Sequence, residues 1–433
     1  MIIDTLKLTN FRSFEDFELQ FDPRLTVLIA RNGAGKSSVL DAVATNLGQF
    51  LTRLPGVSGH NPKDTDFLVF PDGQKPAYMR IYCRATNGVE WDRTERRDQT
   101  KKTLSSIPEG VGIKRLHEYV DQFVDAHNEG GKYDLPIFIY YGTGRGVFDI
   151  PQRKRGFSKK FPRFESLSGA LESRTNFKRF VEYFYYLEDK ESRLQKEQRS
   201  FDIEVPELKS IRNAVSKMMP EFRNPRTIAP AGLMVDWLHD DETRELKIEQ
   251  LSDGYRTTLA MVMDIAARMA EANPFMEDPL QTRGMILIDE VDLHLHPEWQ
   301  REFLPKLINT FPKAQFVVTT HSPFIIQSVK TGKLVDLDQE DPEDSPSLEK
   351  ELSVEDIVED FMGLEGIQRS AKFNERMELA DEYYRLLDAG VDRESIKVQK
   401  IEKRLDEIED LFGDSPVESA LLKSERRTKE SKV

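Results

Sequence analysis

Cysteine is almost absent from the 433-residue chain: Cys83 stands alone. One thiol excludes an intrachain disulfide and any zinc site built on several thiolates, and it fits a reducing compartment. Within "AYMRIYCRA" that thiol is expected to be a small residue packed in a strand. Long hydrophobic runs are missing too. None approaches the roughly 18 residues that cross a bilayer, and the opening "MIIDTLKLTNFRSF" lacks the basic-then-apolar layout of a leader. A soluble, cytoplasmic protein with no membrane partner is the expectation. Net positive charge is also lacking, at a formal −14, but the deficit is concentrated. Residues 336–360 carry twelve acids and one lysine, which leaves the rest of the chain near neutral and free to hold basic surfaces. The acidic stretch reads as a solvated linker and helix start, with a site for a basic partner as the alternative.

What is present begins with "IIDTLKLTNFRSFEDFELQF", two short strands broken by a turn at "NFRS". "LTVLIA" follows as a buried strand and runs into "ARNGAGKS", residues 30–37; "SSVLDAVATNLGQFL" then has apolar residues at helical spacing. Strand, glycine-rich loop and helix together make a phosphate cradle. Backbone N–H groups around Gly33 and Gly35 can wrap a β-phosphate, Lys36 reaches the β- and γ-phosphates, and the Ser37 hydroxyl suits Mg²⁺. Arg31, Asn32, Gly33, Ala34, Gly35, Lys36, Ser37 and Ser38 are the candidate ATP-binding residues. Ala30 stands where the usual pattern has glycine, a change that is tolerated where φ stays negative.

"GMILIDEVDLHLHP", residues 284–297, ends an apolar strand in Asp289 and Glu290. An aspartate there can hold Mg²⁺ and the adjacent glutamate can polarise an attacking water. His294 and His296 flank Leu295, but no third ligand accompanies them, so a structural or inter-subunit loop is favoured over a metal site. "TTHSP" places His321 after a further strand, where it can sense a γ-phosphate. "QLSDGYR" supplies Ser252 as an N-cap, with Asp253 and Gly254 in the first turn, and so forms a second anion-ready helix start. Two such starts in one chain suggest that each ATP lies between the loop of one subunit and the Ser252–Gly254 turn of another.

These motifs, in this order, resemble the ABC-type ATPases of the RecF and SMC kind. "ARNGAGKSS" is similar to their Walker A, "LSDGYR" to the signature motif, "MILIDE" to Walker B, and "VDLHLHP" and "TTHSP" to the D-loop and H-loop. The resemblance covers roughly 1–50 and 245–335. It implies an α/β fold, an ABC-type P-loop ATPase head with a mixed core sheet and an N-terminal antiparallel β element. It also implies ATP and Mg²⁺ as cofactors, with Glu290 and His321 catalytic and Ser37 and Asp289 on the metal. The expected oligomer is a head-to-tail dimer or higher, with Ser252, Asp253 and Gly254 coming from the facing subunit. One departure stands out: the glutamine expected after the strand "PIFIYY" is missing. Thr143 is nearest its place, and Arg145 is a candidate phosphate contact instead.

Too few residues separate Ser37 from Leu251 for long coiled-coil arms, so the insertion reads as a compact lid. The expected organisation is 1–150 as the N-terminal part of the head, 151–230 as a helical lid insertion, 231–338 as the C-terminal part of the head, and 339–433 as an acidic linker with a helical partner-binding or oligomerisation region. A helix is expected from Phe164 to about Lys196, and another at the end, where Ile401, Leu405, Ile408 and Leu411 recur at helical spacing and dock on the body or a partner. "RKRGFSKKFPRF", residues 153–164, sets six basic residues among three phenylalanines. Two readings stay open for it: contact with nucleic acid, DNA or retron RNA/DNA, through Arg153–Arg163, or a solvated loop with anchoring aromatics. "LPIFIYYGTGR", the aromatic helix "NFKRFVEYFYYLEDKE", "DEVDLHLHPEWQ" and the short acidic-then-helical tail also resemble the stand-alone ATPase subunits of Septu and retron-associated anti-phage systems, which implies a separately encoded HNH-type nuclease as partner. The alternatives are a DNA-repair ATPase acting directly on DNA and an ATP-dependent assembly scaffold. "VDLD", Asp336 and Asp338, mimics the acidic pair of a built-in nuclease domain without the accompanying pattern.

Overall fold

The computed structural model describes residues 1–146, 161–173, 177–228, 232–239, 242–339, 353–354, 357–358, 371–389, 391 and 395–411. Two compact units divide the chain, Met1–Met362 and Gly363–Val433.

In the first unit the chain opens with strands β1 (Ile3–Phe11), β2 (Phe14–Gln20) and β3 (Leu25–Ile29), followed by helix α1 (Lys36–Arg53). Next come β4 (Tyr78–Ala85), β5 (Glu90–Arg96), α2 (Lys101–Ser106), α3 (Ile113–Asn128) and β6 (Ile137–Tyr141). Two helices, α4 (Lys178–Gln198) and α5 (Pro206–Met218), lead to β7 (Phe222–Thr227), β8 (Leu233–His239) and β9 (Glu242–Lys247). The remainder is α6 (Asp253–Ala272), β10 (Gly284–Ile288), α7 (Pro297–Thr310), β11 (Ala314–Thr319), α8 (Pro323–Ser328) and β12 (Lys333–Asp336).

Five strands, in the order β12-β3-β11-β10-β6, form a central sheet in which each pairing is parallel. Every residue of β3, β6, β10 and β11 is buried, as a sheet covered on both faces requires. That explains their near-continuous apolar sequences. The antiparallel strands lie in separate sheets: β2-β1-β4-β5 at the N-terminus and the small β7-β8-β9 sheet. The mixture of strand directions therefore falls between sheets. Helix α1 packs on β1 and β4 on one side and on β6 and β11 on the other, so its residues from Val39 to Leu51 are nearly all buried. Cys83 is fully buried in β4, and burial pushes its thiol up to about 12, so it stays protonated and inert.

Two expectations are corrected. The helix expected from Phe164 begins only at Lys178; Arg163–Leu167 is a 3₁₀ turn, and Gly169 reverses the chain at φ 63°. Phe164 is directed inward against His127 and Tyr133, which a continuous helix would not allow. Within the helical insertion expected over 151–230 the last helix ends at Met218, and β7 follows with a bulge between Arg223 and Arg226, where Asn224 takes φ 48° and Pro225 withholds an N–H. Strand β9, "ETRELK", is almost wholly exposed and polar, so it carries no alternation to read.

The second unit contains helices Ala371–Asp388 and Ile396–Leu411. Tyr383, Val398, Ile401 and Leu405 form their shared apolar seam, with Leu379 and Tyr384 packed against it. Within this unit, the apolar spacing of the last helix is thus used on its helical neighbour.

Candidate ATP site

Parallel pairing brings the C-terminal ends of β3, β10 and β11 side by side, the place where open α/β sheets bind ligands. The loop after β3 carries residues 30–37. Gly35 caps α1 at φ 105°, and a Cβ there would lie 2.6 Å from Phe14 Cζ. Only glycine meets both conditions. Around Gly33 nothing lies within 4 Å of an added Cβ, so the loop's outer face is open to a ligand. Arg31, Asn32, Gly33 and Ser37 are exposed; Ala34 and Ser38 are half-buried beside them. Ala30 is buried and is not among the positive-φ residues, which accounts for its tolerance.

Lys36 is buried, its Nζ donating to Ala30 O at 2.9 Å and Arg31 O at 3.2 Å. Burial lowers its pKa from the ordinary 10.5, opposed by the carboxylates of Asp289, Asp338, Glu290 and Asp292. Ser37 Oγ donates to Asp289 Oδ2 at 2.8 Å, and Thr319 Oγ1 donates to Asp289 Oδ1 at 2.6 Å. Glu290 N donates to the same Thr319 Oγ1 at 2.7 Å. A hydroxyl and a carboxylate beside an open glycine loop are the hard oxygen donors that Mg²⁺ takes. His321 is half-buried near these groups; burial first, then Lys36, lowers its pKa below the ordinary 6.5, so the ring is neutral at pH 7.

The Ser252 turn is placed differently. Ser252 and Asp253 are exposed at the start of α6, and the Ser252 side chain makes no bond to its own helix. Gly254 lies tight against the loop after β10: a Cβ on it would stand 2.3 Å from His294 O. Tyr255 packs edge-on to Trp299 of α7 at 4.4 Å. Among the described residues no hydrogen bond or ion pair joins Ser252, Asp253 or Gly254 to residues 30–37.

Family models for an AAA domain and an AAA ATPase domain match residues 5–222 and 147–326. The chain belongs to the AAA domain family. It is an ATPase, and the order of its motifs resembles that of the RecF and SMC kind. The Retron Ec83 probable ATPase of Escherichia coli is 27% identical over 394 residues, covering 76% of this chain and 70% of that one. The Retron Vc95 probable ATPase of Vibrio cholerae is 24% identical over 375 residues, covering 76% and 72%. The Septu protein PtuA of Bacillus mycoides is 24% identical over 422 residues, covering 94% of this chain but only 51% of its own length.

Several residues of this ATPase depart from their expected places. Arg145 does not point at a phosphate position: it is 2% exposed, and its guanidinium donates to backbone carbonyls of Gly142, Asp289 and Glu290. Thr143, nearest the expected glutamine, is exposed. Arg163, the end of the basic stretch, is also buried, with its guanidinium 3.6 Å from the Tyr133 ring centroid and its nitrogens bonded to Ala272 O and Tyr133 O. It cannot meet nucleic acid there; residues 153–160 lie outside the described residues. His296 caps α7 by accepting from Glu298 N at 3.4 Å, and His294 is exposed at φ 67°. Among the described residues no group of three or more His, Cys, Asp or Glu is gathered to hold a metal. No described helix is long and apolar enough to cross a membrane.

Sequence reasoning missed two further contacts of the site. Asp338, just past β12, accepts from Arg31 N at 2.6 Å, so the "VDLD" acids belong to the phosphate loop's surroundings. A buried network also ties the middle of α6 to β6: Tyr141 Oη donates to Asp264 Oδ2 at 2.7 Å, and Arg268 Nε to the same oxygen at 3.0 Å. The apolar runs of "PIFIYY" and "TTLAMVMDIAARMA" conceal these polar pairs.

Proposed function

We propose that this ATPase closes a head-to-tail dimer around two ATP molecules and gates a separately encoded HNH-type nuclease in anti-phage defence. One half-site would consist of residues 31–38 with Asp289, Glu290 and His321. The other would be Ser252, Asp253 and Gly254 of the facing subunit. The observation that carries the dimer is the Ser252 turn: Ser252 and Asp253 are exposed and the Ser252 side chain makes no cap bond, while Gly254 lies tight against the loop that follows Glu290. Ser37 and Asp289 would hold Mg²⁺, which when bound neutralises charge between the β- and γ-phosphates. Lys36 leaves its two carbonyl acceptors for phosphate oxygens, Glu290 polarises the attacking water, and neutral His321 donates to the γ-phosphate. The 151–230 insertion forms a lid over the head, and 339–433 supplies the partner-binding region. Where nucleic acid takes part, residues 153–160 are its contact.

The defence role is supported by the likeness to the two retron ATPases and the Septu protein. The deciding measurement is native mass and ATP turnover of the purified chain, with and without the protein encoded beside it. Co-purification with a neighbouring nuclease together with modest turnover is expected. A lone dimer whose turnover rises sharply with DNA would replace this reading with DNA repair. Glu290→Gln should trap the closed dimer with ATP bound.

A further inference from the structure

The residue after β6 that matters most to the site is a buried arginine. Strand β6 lies parallel to β10, with Tyr141 opposite Ile288, and Asp289 N donates to Tyr141 O at 2.8 Å. The 3₁₀ turn Thr143–Gly146 therefore stands beside the turn that presents Asp289 and Glu290. Arg145 Nη1 donates to Gly142 O at 3.1 Å and to Asp289 O at 2.5 Å, while Nη2 donates to Glu290 O. None of its hydrogen bonds in the described residues goes to a carboxylate. Burial lowers its pKa from the ordinary 12.5, and the nearby charges of Asp289, Asp292 and Glu290 oppose this and keep it cationic.

The clamped backbone is a strained one. Glu290 has φ 46°, a left-handed conformation that non-glycine residues rarely adopt. Two groups hold it there from opposite sides: Thr319 Oγ1 takes the Glu290 N–H, and Arg145 takes the carbonyls on both sides of the Asp289–Glu290 step. A planar fork with several fixed donors can bridge successive carbonyls, whereas a lysine ammonium cannot hold both in one plane. Because the backbone sets the direction in which Cα–Cβ leaves the chain, fixing this peptide sets the direction from which the Glu290 side chain starts.

We infer that Arg145 is the positioning residue of Glu290, and that it holds the Asp289–Glu290 turn from the segment that follows β6. The inference rests on the reading that Glu290 polarises the attacking water. It is tested in the full chain with Arg145→Lys, measuring ATP turnover, ATP affinity and melting temperature. Turnover is expected to fall about 10- to 100-fold, with ATP affinity within about threefold and the melting temperature little changed. In a Glu290→Gln background the same substitution should cause no further loss, because both act on one group. Equal losses of affinity and turnover, multiplicative losses in the double variant, or unchanged turnover would each overturn the inference. Full turnover in Glu290→Gln alone would instead remove the role given to Glu290, whatever Arg145→Lys does. If Arg145→Lys melts below the assay temperature, Arg145→Gln takes its place, since its amide still donates two N–H groups. Failure of both to fold would make the clamp purely architectural and also overturn the inference.

Discussion

Two helices of this ATPase begin with polar, glycine-containing turns, and their surroundings are opposite. At α1, Gly35 takes a left-handed φ of 105°, Lys36 is buried, and Asp289 reaches Ser37 across the strand ends. At α6, Ser252 and Asp253 face outward with no lysine of the 30–37 loop bonded to them among the described residues. Both starts expose backbone N–H groups, but only the first sits inside a ring of functional side chains. A helix start becomes a complete site through what the sheet brings beside it. The second has no such ring among the described residues, and on the proposed reading its other half is the loop of a facing subunit.

The largest test of that contrast is Lys36→Ala. It should weaken ATP binding by about a hundredfold or more, equivalent to roughly 3 kcal/mol, in a nucleotide titration; unchanged affinity would remove the assignment of the loop. Ser252→Arg should leave ATP affinity within about twofold, abolish ATP-dependent dimers in light scattering, and lower turnover about tenfold. An equal mixture of the two variants should turn over faster than either alone, because a mixed dimer pairs an intact loop with an intact Ser252 turn. Turnover in the mixture no higher than in its parts would argue against sites shared between subunits.

Smaller effects belong to the layer that supports α6. Arg163→Ala removes donors from two buried carbonyls and should cost about 2–4 kcal/mol of unfolding free energy by denaturant titration, while leaving nucleic-acid affinity alone. Glu271 gives the smallest effect. Burial pushes its carboxyl from 4.5 up to about 7, against the pull of Arg179 and Arg268. The folded chain then holds a proton there between pH 4.5 and 7 that the unfolded chain has released. This group therefore favours folding below 4.5 and loses that contribution as pH rises to about 7. Glu271→Gln should flatten the dependence of unfolding free energy on pH across that window, by up to about 1.4 kcal/mol per pH unit; an unchanged slope would mean that Arg179 keeps the carboxyl ionised.

The head's framework was legible because its signals are contiguous. Buried strands read as apolar runs, and residues 30–38, Asp289–Glu290 and His321 each sit at the end of one, while Ser252–Gly254 opens the apolar helix α6. The three-stranded sheet was not legible, because β9 has Leu246 as its one apolar residue and β7 is broken by its bulge. The burial of Arg163 was not legible for another reason. Arginine serves phosphate recognition and buried carbonyl capping equally well, and composition does not say which way Arg163 faces.

The sequence by itself determined the order of the motifs, the strand, loop and helix around Lys36, and the residue types able to bind phosphate and metal. These follow from local periodicity and local backbone freedom. Only the tertiary structure decided that Arg145 reaches the carbonyls of Asp289 and Glu290, about 144 residues away, and that Asp338 meets Arg31, about 307 away. Such contacts depend on which strands become neighbours, a matter of packing the whole core and not of any short stretch within it.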